Sequence, residues 1–261
     1  MIFVLVFAIC FLASIIGAIC GIGGGVIIKP ALDAFGIMDV STISFLSGCT
    51  VLSMSTYSVI KSKRSGSSKI DQETGVPLAL GAAIGGVTGK YLFQIIKRMS
   101  ANPDRVGAIQ AVCLLIVILG TLLYTIFKSR IKTHKIESKA VCAVIGLLLG
   151  IMSSFLGIGG GPINLVVFFY FFSMDTKTAA ENSLYTILFS QIASVLYSIV
   201  SGSVPDFSVG MLALMVASGI CGGACGRSFN KKLESHVVDR LFIGLMIVMI
   251  FINVYNIYKF L

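Results

Sequence analysis

Apolar runs such as Val106 to Phe127 and Leu241 to Tyr258 have the roughly 20-residue length that a helix needs to cross a hydrocarbon core about 30 Å thick. Several such runs in one chain predict a polytopic membrane protein. Composition agrees: 56% of the 261 residues are hydrophobic and only 12% are charged, whereas soluble domains carry about 25% charged residues. The first twenty residues have no basic n-region and no Ala-x-Ala site, so they are expected to be retained structure rather than a cleaved signal. The formal charge of +9 sits in short basic blocks between apolar segments, a membrane-topology pattern and not a nucleic-acid surface. The seven cysteines fall within apolar segments without Cys-x-x-Cys spacing and are expected to be packing residues.

The chain repeats itself with a shift of about 136 residues. Gly21-Ile22-Gly23-Gly24-Gly25 recurs as Gly157-Ile158-Gly159-Gly160-Gly161. Gly85-Gly86-Val87-Thr88-Gly89-Lys90 recurs as Gly222-Gly223-Ala224-Cys225-Gly226-Arg227, and Asp104-Arg105 as Asp239-Arg240. Ser47 to Thr50 occupies the place of Ser183 to Thr186. The expected fold is therefore an all-α polytopic membrane protein of two repeats, about eight helical elements in total. The first repeat, 1–128, holds a glycine-broken hairpin over 1–36 and helices near 41–62, 75–98 and 104–128. A linker follows at 129–138. The second repeat, 139–261, holds a hairpin over 139–172 and helices near 176–200, 207–228 and 236–259.

Lys and Arg counts bear on topology. If each broken element crosses once, the two sides carry ten and eight basic residues. If each enters, reverses at its glycines and leaves on the same side, the count is fourteen against four. The second arrangement is preferred. It makes the hairpins re-entrant, inverts the halves relative to each other, leaves both termini outside and makes the linker cytoplasmic.

Irregular backbone at membrane depth is tolerated only where protein or a water-filled cavity satisfies its polar groups. Glycine breaks in matching places of two halves point to a transporter site at the repeat interface. After each break a half-helix begins with its free N–H groups facing the break, a place for an anion, and Pro162 suits a first helical turn. Substrate contact is therefore expected at Gly23, Gly24, Gly25, Gly159, Gly160 and Gly161. Close helix packing is the plainer account of Gly81, Gly85, Gly89, Gly222 and Gly226. Dinucleotide and phosphate-loop readings fail on spacing and on the absence of a preceding strand. Lys29, in an otherwise apolar stretch, is expected to attract the anion, with snorkelling as its alternative. Glu181 has proton coupling as one reading and favouring a helix N-terminus as the plainer one. Thr50, Asn164, Asn182, Ser183 and Thr186 are expected to line the cavity, with Gln191 beside them, although Ser and Thr in such helices often bond their own backbone. His134 and His236 fall in basic loops, and no catalytic or metal-binding set stands out.

These residues resemble the TauE/SafE family, the sulfite exporters, a group that also takes in permease-type transporters for 4-toluene sulfonate uptake. The resemblance covers nearly the whole chain. It rests on the duplicated Gly-Ile-Gly-Gly-Gly, on Pro30 and Leu32 after the first copy and on Ala180-x-Asn182-Ser183-Leu184 after the second. It rests also on the Gly-x-x-x-Gly followed by a basic residue in each half. Pro162 directly after the glycines, and Val166 in place of a later proline, depart from the pattern. The resemblance implies a secondary carrier of the cytoplasmic membrane that exports sulfite, sulfoacetate or another small organosulfur anion, held between the hairpins. Expected partners are that small anionic substrate and membrane lipid, with a proton as candidate coupling ion and a homodimer as candidate assembly. No cofactor, no nucleic-acid partner and no enzymatic activity are expected. A same-fold transporter of a carboxylate or amino acid is the second reading, and a membrane enzyme or a channel the third.

Overall fold

The computed structural model of the protein describes residues 2–66, 69–100 and 103–260; residues 1 and 261, the outer ends of the two expected repeats, lie outside them. Among the described residues, ten α-helices follow one another: α1 (Ile2–Cys20), α2 (Gly25–Phe35), α3 (Val40–Arg64), α4 (Gln72–Met99), α5 (Pro103–Phe127), α6 (Lys139–Phe155), α7 (Pro162–Phe172), α8 (Thr176–Val200), α9 (Val209–Lys232) and α10 (Ser235–Phe260). A 3-10 turn at Lys128–Arg130 leads into the linker. Among the described residues there is no strand. Seven helices among the described residues, α1, α3, α4, α5, α8, α9 and α10, are long and apolar enough to cross a membrane. The protein is an all-α polytopic membrane protein.

The short helices are the return arms of hairpins. Gly24 lies against Ser14, and Ile28 and Leu32 of α2 share a cluster with Val6, Cys10 and Ala13 of α1, so α2 doubles back along α1. In the second half the two ends of the hairpin are tied together: the His134 N–H donates to the carbonyl of Tyr170 at 2.7 Å and that of Ile136 to Phe171 at 3.0 Å. The chain leaves α7 beside the point where it entered α6. Two of the following helices are started by side chains at their first turns. Asp71 accepts from the N–H of Glu73, and Asp175 accepts from that of Thr178 at 2.6 Å, each covering an N–H the helix cannot pair itself.

Packing crosses between halves. α4 lies along α6, and α9 along α1; α8 packs on α4, and α3 on α9; α2 touches α3 and α10, and α7 touches α8 and α5. Exchanging each element of one half for its counterpart in the other maps each of these pairings onto another. Glycines let the closest pairs meet backbone to backbone. A methyl at Gly85 or Gly89 would stand 2.2 or 2.3 Å from a carbonyl oxygen of α6 (Leu147, Ile151), and one at Gly222 or Gly226 would stand 2.5 or 2.3 Å from one of α1 (Phe11, Ile15). Small residues at such crossings replace a hydrophobic drive that lipid does not supply. Each hairpin is thus held by the glycine-ridged helix of the opposite half.

Candidate functional site

The two hairpin tips meet at the centre of the molecule. A methyl on Gly25 would stand 2.0 Å from the Ile158 carbonyl oxygen, and one on Gly160 3.1 Å from that of Ile22. Gly23 and Gly159 both lie against Val51 of α3, and Ile187 of α8 reaches both Gly23 and Gly160. Each tip also presses on the helix that follows the other hairpin. Gly21 (φ +73°) faces Ala180 of α8, and Gly157 (φ +66°) faces Ser44 of α3. Both positions lie in the left-handed region that favours glycine, and both leave no room for a side chain.

Lys29 and Asp33 form a buried ion pair on α2, with Nζ 2.5 Å from Oδ2 and side chains only 3% and 5% exposed. Lys29, expected to attract the anion, lies close to Gly157, but its charge is matched within its own helix. At the end of α2, the Lys259 ammonium donates to the carbonyls of Asp33 and Ala34.

The remaining predicted polar residues lie on α3, α7 and α8 around the tips. Thr50 and Thr186 return their hydroxyls to the carbonyls of Leu46 and Asn182, at 2.8 and 3.0 Å. Asn182 donates to the carbonyl of Thr178, and its Oδ1 has no partner among the described residues. The buried Ser183 hydroxyl also has none. Asn164 sits with Ser153, Thr186 and Ser190 round a fully packed crevice. α3 and α8 pack against each other, and their hydroxyls correspond: Ser47 with Ser183, Thr50 with Thr186, Ser58 with Ser194, Ser62 with Ser198. All eight are buried.

Beside the tips opens a vestibule of about 440 Å³, within the roughly 300–1,000 Å³ range of small-molecule sites. Its inner wall is Ala18, Ala180 and Leu184, and its polar lining is Ser58, Arg227 and Asn230. Lys69, Lys177 and Lys231 surround it with positive charge, against the single carboxylate of Glu181. That carboxylate is partly engaged, accepting from the Lys69 N–H at 2.8 Å. Arg227 donates through Nη1 to the Ser58 carbonyl at 3.0 Å, while its Nε is buried without an acceptor among the described residues. The Ser58 hydroxyl, 2% exposed, likewise has no partner among the described residues. Two buried polar atoms of residues at this wall are therefore unpaired among the described residues.

On the opposite side of the tips lies a second, collapsed crevice of about 10 Å³, lined by Ser44, Gly48, Lys90, Gln191, Ser194 and Ser198 among others. α3 and α8 line both spaces. On α3, Ser44 and Ser58 are fourteen residues apart, roughly 21 Å at about 1.5 Å per residue.

The model of the sulfite exporter TauE/SafE family matches residues 6–252. The chain belongs to that family. It is a multi-pass transporter of the cell membrane. It is also 23% identical, over 98% of both chains, to a protein of Bacillus subtilis (strain 168) described as the probable membrane transporter protein YunE. No solved structure gives a significant match. None of the residues expected to contact substrate, the hairpin glycines included, lines the vestibule, and Arg227, Ser58 and Asn230, which do line it, were not singled out as site residues from the sequence. The available signal was the pairing of Lys90 with Arg227, one basic residue directly after the glycines in each half.

Proposed function

We propose that the protein is a secondary transporter of a small sulfur oxyanion, such as sulfite or the sulfonate of sulfoacetate, which it exports from the cytoplasm. The observation that carries this reading is the 440 Å³ vestibule, where Arg227 and three lysines face one carboxylate and two buried polar atoms are unpaired among the described residues. An oxyanion offers several acceptors on one atom. It would take the free Nε of Arg227 and the Ser58 hydroxyl together, the short charge-assisted contacts that a guanidinium fork favours. The family's description supports sulfite as the type of substrate.

The vestibule is assigned to the cytoplasmic side. With both hairpins re-entrant, fourteen Lys and Arg residues share its side and four lie opposite. The halves are then inverted repeats, since three crossings separate the two hairpins. The exchange of packing partners between halves and the tied ends of the second hairpin support this arrangement. Substrate would pass the abutting hairpin tips along the hydroxyl-lined seam of α3 and α8, with Gly23 to Gly25 and Gly159 to Gly161 moving apart as it does.

Ligand-dependent thermal stabilisation tests the reading, because a ligand that binds only the folded state raises apparent stability by mass action. Sulfite, sulfoacetate, sulfate, acetate and taurine are compared on the purified chain. Stabilisation by sulfite or sulfoacetate, absent in Arg227→Ala, is the expected result. Stabilisation by acetate alone would replace the sulfur oxyanion with a carboxylate.

A further inference from the structure

The collapsed crevice is built from the same positions as the open vestibule. Six of its ten lining residues lie 136 or 137 positions from a residue lining the vestibule. Ser154 answers Ala18, Ser194 answers Ser58, and Lys90 answers Arg227. The backdrop matches too, since Gly157 presses on Ser44 where Gly21 presses on Ala180.

Lys90 is only 7% exposed, and it takes part in none of the ion pairs among the described residues. Its ammonium stands 5.2 Å from the centre of the Phe93 ring. The crevice, at about 10 Å³, is at the lower limit of what holds one water, about 10–15 Å³. An ammonium held out of water without a counter-ion is unfavourable, and an intramembrane charge that persists there marks a functional position. Ser44, Ser194, Ser198 and Gln191 line the crevice together with Lys90. The Ser44 hydroxyl is buried without a partner among the described residues.

We propose that Lys90 and the hydroxyls beside it form a second anion site, facing the outside, closed in the present conformation and equivalent to the Arg227 site. This rests on the anion-carrier reading above. When the halves exchange conformations the vestibule closes over Arg227, the crevice opens over Lys90, and the anion is released from a lysine rather than an arginine. An ammonium offers a point charge in place of a two-pronged fork, so the outer site holds an oxyanion less tightly than the inner one.

The test is exchange of radiolabelled sulfite by the full chain in oriented proteoliposomes, with concentration varied on one face while the other is saturated. Lys90→Ala raises the half-saturating concentration on the outer face by at least about tenfold, the loss expected for one charge-assisted contact. It leaves the cytoplasmic face within about twofold, while Arg227→Ala does the reverse. Lys90→Arg keeps outer-face affinity. Equal shifts on both faces, or none, overturn the second site while leaving the transporter reading intact. If Lys90→Ala does not yield folded protein, Ser194→Ala with Ser198→Ala is read by the same criterion. A wild type that exchanges acetate but not sulfite refutes the substrate class, and the Lys90 test is then read with acetate. A wild type that exchanges no probe, sulfoacetate and sulfate included, removes both proposals.

Discussion

Arg227 is fastened by one nitrogen to the main-chain carbonyl of Ser58, 3.0 Å away on a helix of the opposite half, and presents its buried Nε without an acceptor. That arrangement fixes the guanidinium before any ligand arrives, so little side-chain freedom is lost on binding. Removing it as Arg227→Ala should weaken sulfite binding by about 10- to 100-fold, from the roughly 1.5–3 kcal/mol of a charged hydrogen bond. Arg227→Lys should recover part of this, since it restores charge but not the fork. Isothermal titration of both variants checks it, and unchanged affinity in the alanine variant would remove Arg227 from the site.

Lys29 tests the opposite case, a charge already matched. Breaking a buried pair leaves an uncompensated ion, worth about 3–5 kcal/mol of stability, whereas replacing both members by apolar residues of similar volume is often neutral. Lys29→Met alone should therefore destabilise strongly, and Lys29→Met with Asp33→Leu should recover most of the loss and still bind sulfite. Thermal denaturation with and without sulfite separates the outcomes. A double variant that folds normally but no longer binds would make Lys29 the anion's own cation.

Much of the fold was readable because its signals are local or periodic. Apolar length gave the spanning helices, and Gly21 to Gly25 with its copy at Gly157 to Gly161 gave the two breaks. The Lys29–Asp33 pair was not read from the sequence, where Lys29 is expected to attract the anion, although opposite charges four residues apart on one helix face carry the signal. Arg227 and Ser58 are different. They are 169 positions apart, and nothing in either local sequence brings them together. Basic residues near helix ends serve first as evidence for topology, which hides any that also turn inward. The contact between the hairpin tips is likewise tertiary: glycine runs announce close approach, but not the partner approached.

The tips make a sharp prediction about stability. A methyl at Gly25 would stand 2.0 Å from the Ile158 carbonyl oxygen, a backbone atom that cannot swing aside, whereas one at Gly244 meets nothing within 4 Å. Gly25→Ala should cost about 1–3 kcal/mol or more through overpacking. Gly244→Ala should be neutral or gain up to about 1 kcal/mol from helix propensity. Melting temperatures in one detergent decide this, and equal tolerance of both changes would mean the tips do not abut.

Asp175, in the loop that leads into α8, carries the pH dependence outside the spanning helices. Burial alone raises its carboxyl, but hydrogen bonds from the hydroxyl and N–H of Thr178, with Lys69 and Lys177 nearby, outweigh that and hold it below the usual carboxylate range. A carboxyl whose folded pKa is depressed adds stability above its unfolded pKa, about 3.9, and loses it as pH falls through the folded value. The melting-temperature gap between wild type and Asp175→Ala should be constant from neutral pH down to about pH 4 and shrink below it. A gap that widens on acidification would contradict the sign.

Access to the two spaces gives the most direct reading of the conformation. Glu181 is partly exposed and lines the open vestibule, and the buried Phe45, its counterpart in the other half, lines the collapsed crevice. In a background with the seven native cysteines replaced, Glu181→Cys should react rapidly with a membrane-impermeant thiol reagent added to the cytoplasmic face. Phe45→Cys should resist the same reagent added outside. Sulfite should slow modification of the first by occupying the space beside Arg227. In a carrier that exchanges conformations, it should also speed modification of the second by raising the fraction of molecules open outward, a shift limited by its differential affinity for the two states. Both cysteines reacting at once, each from its own side, would describe a continuous pore and return the channel reading.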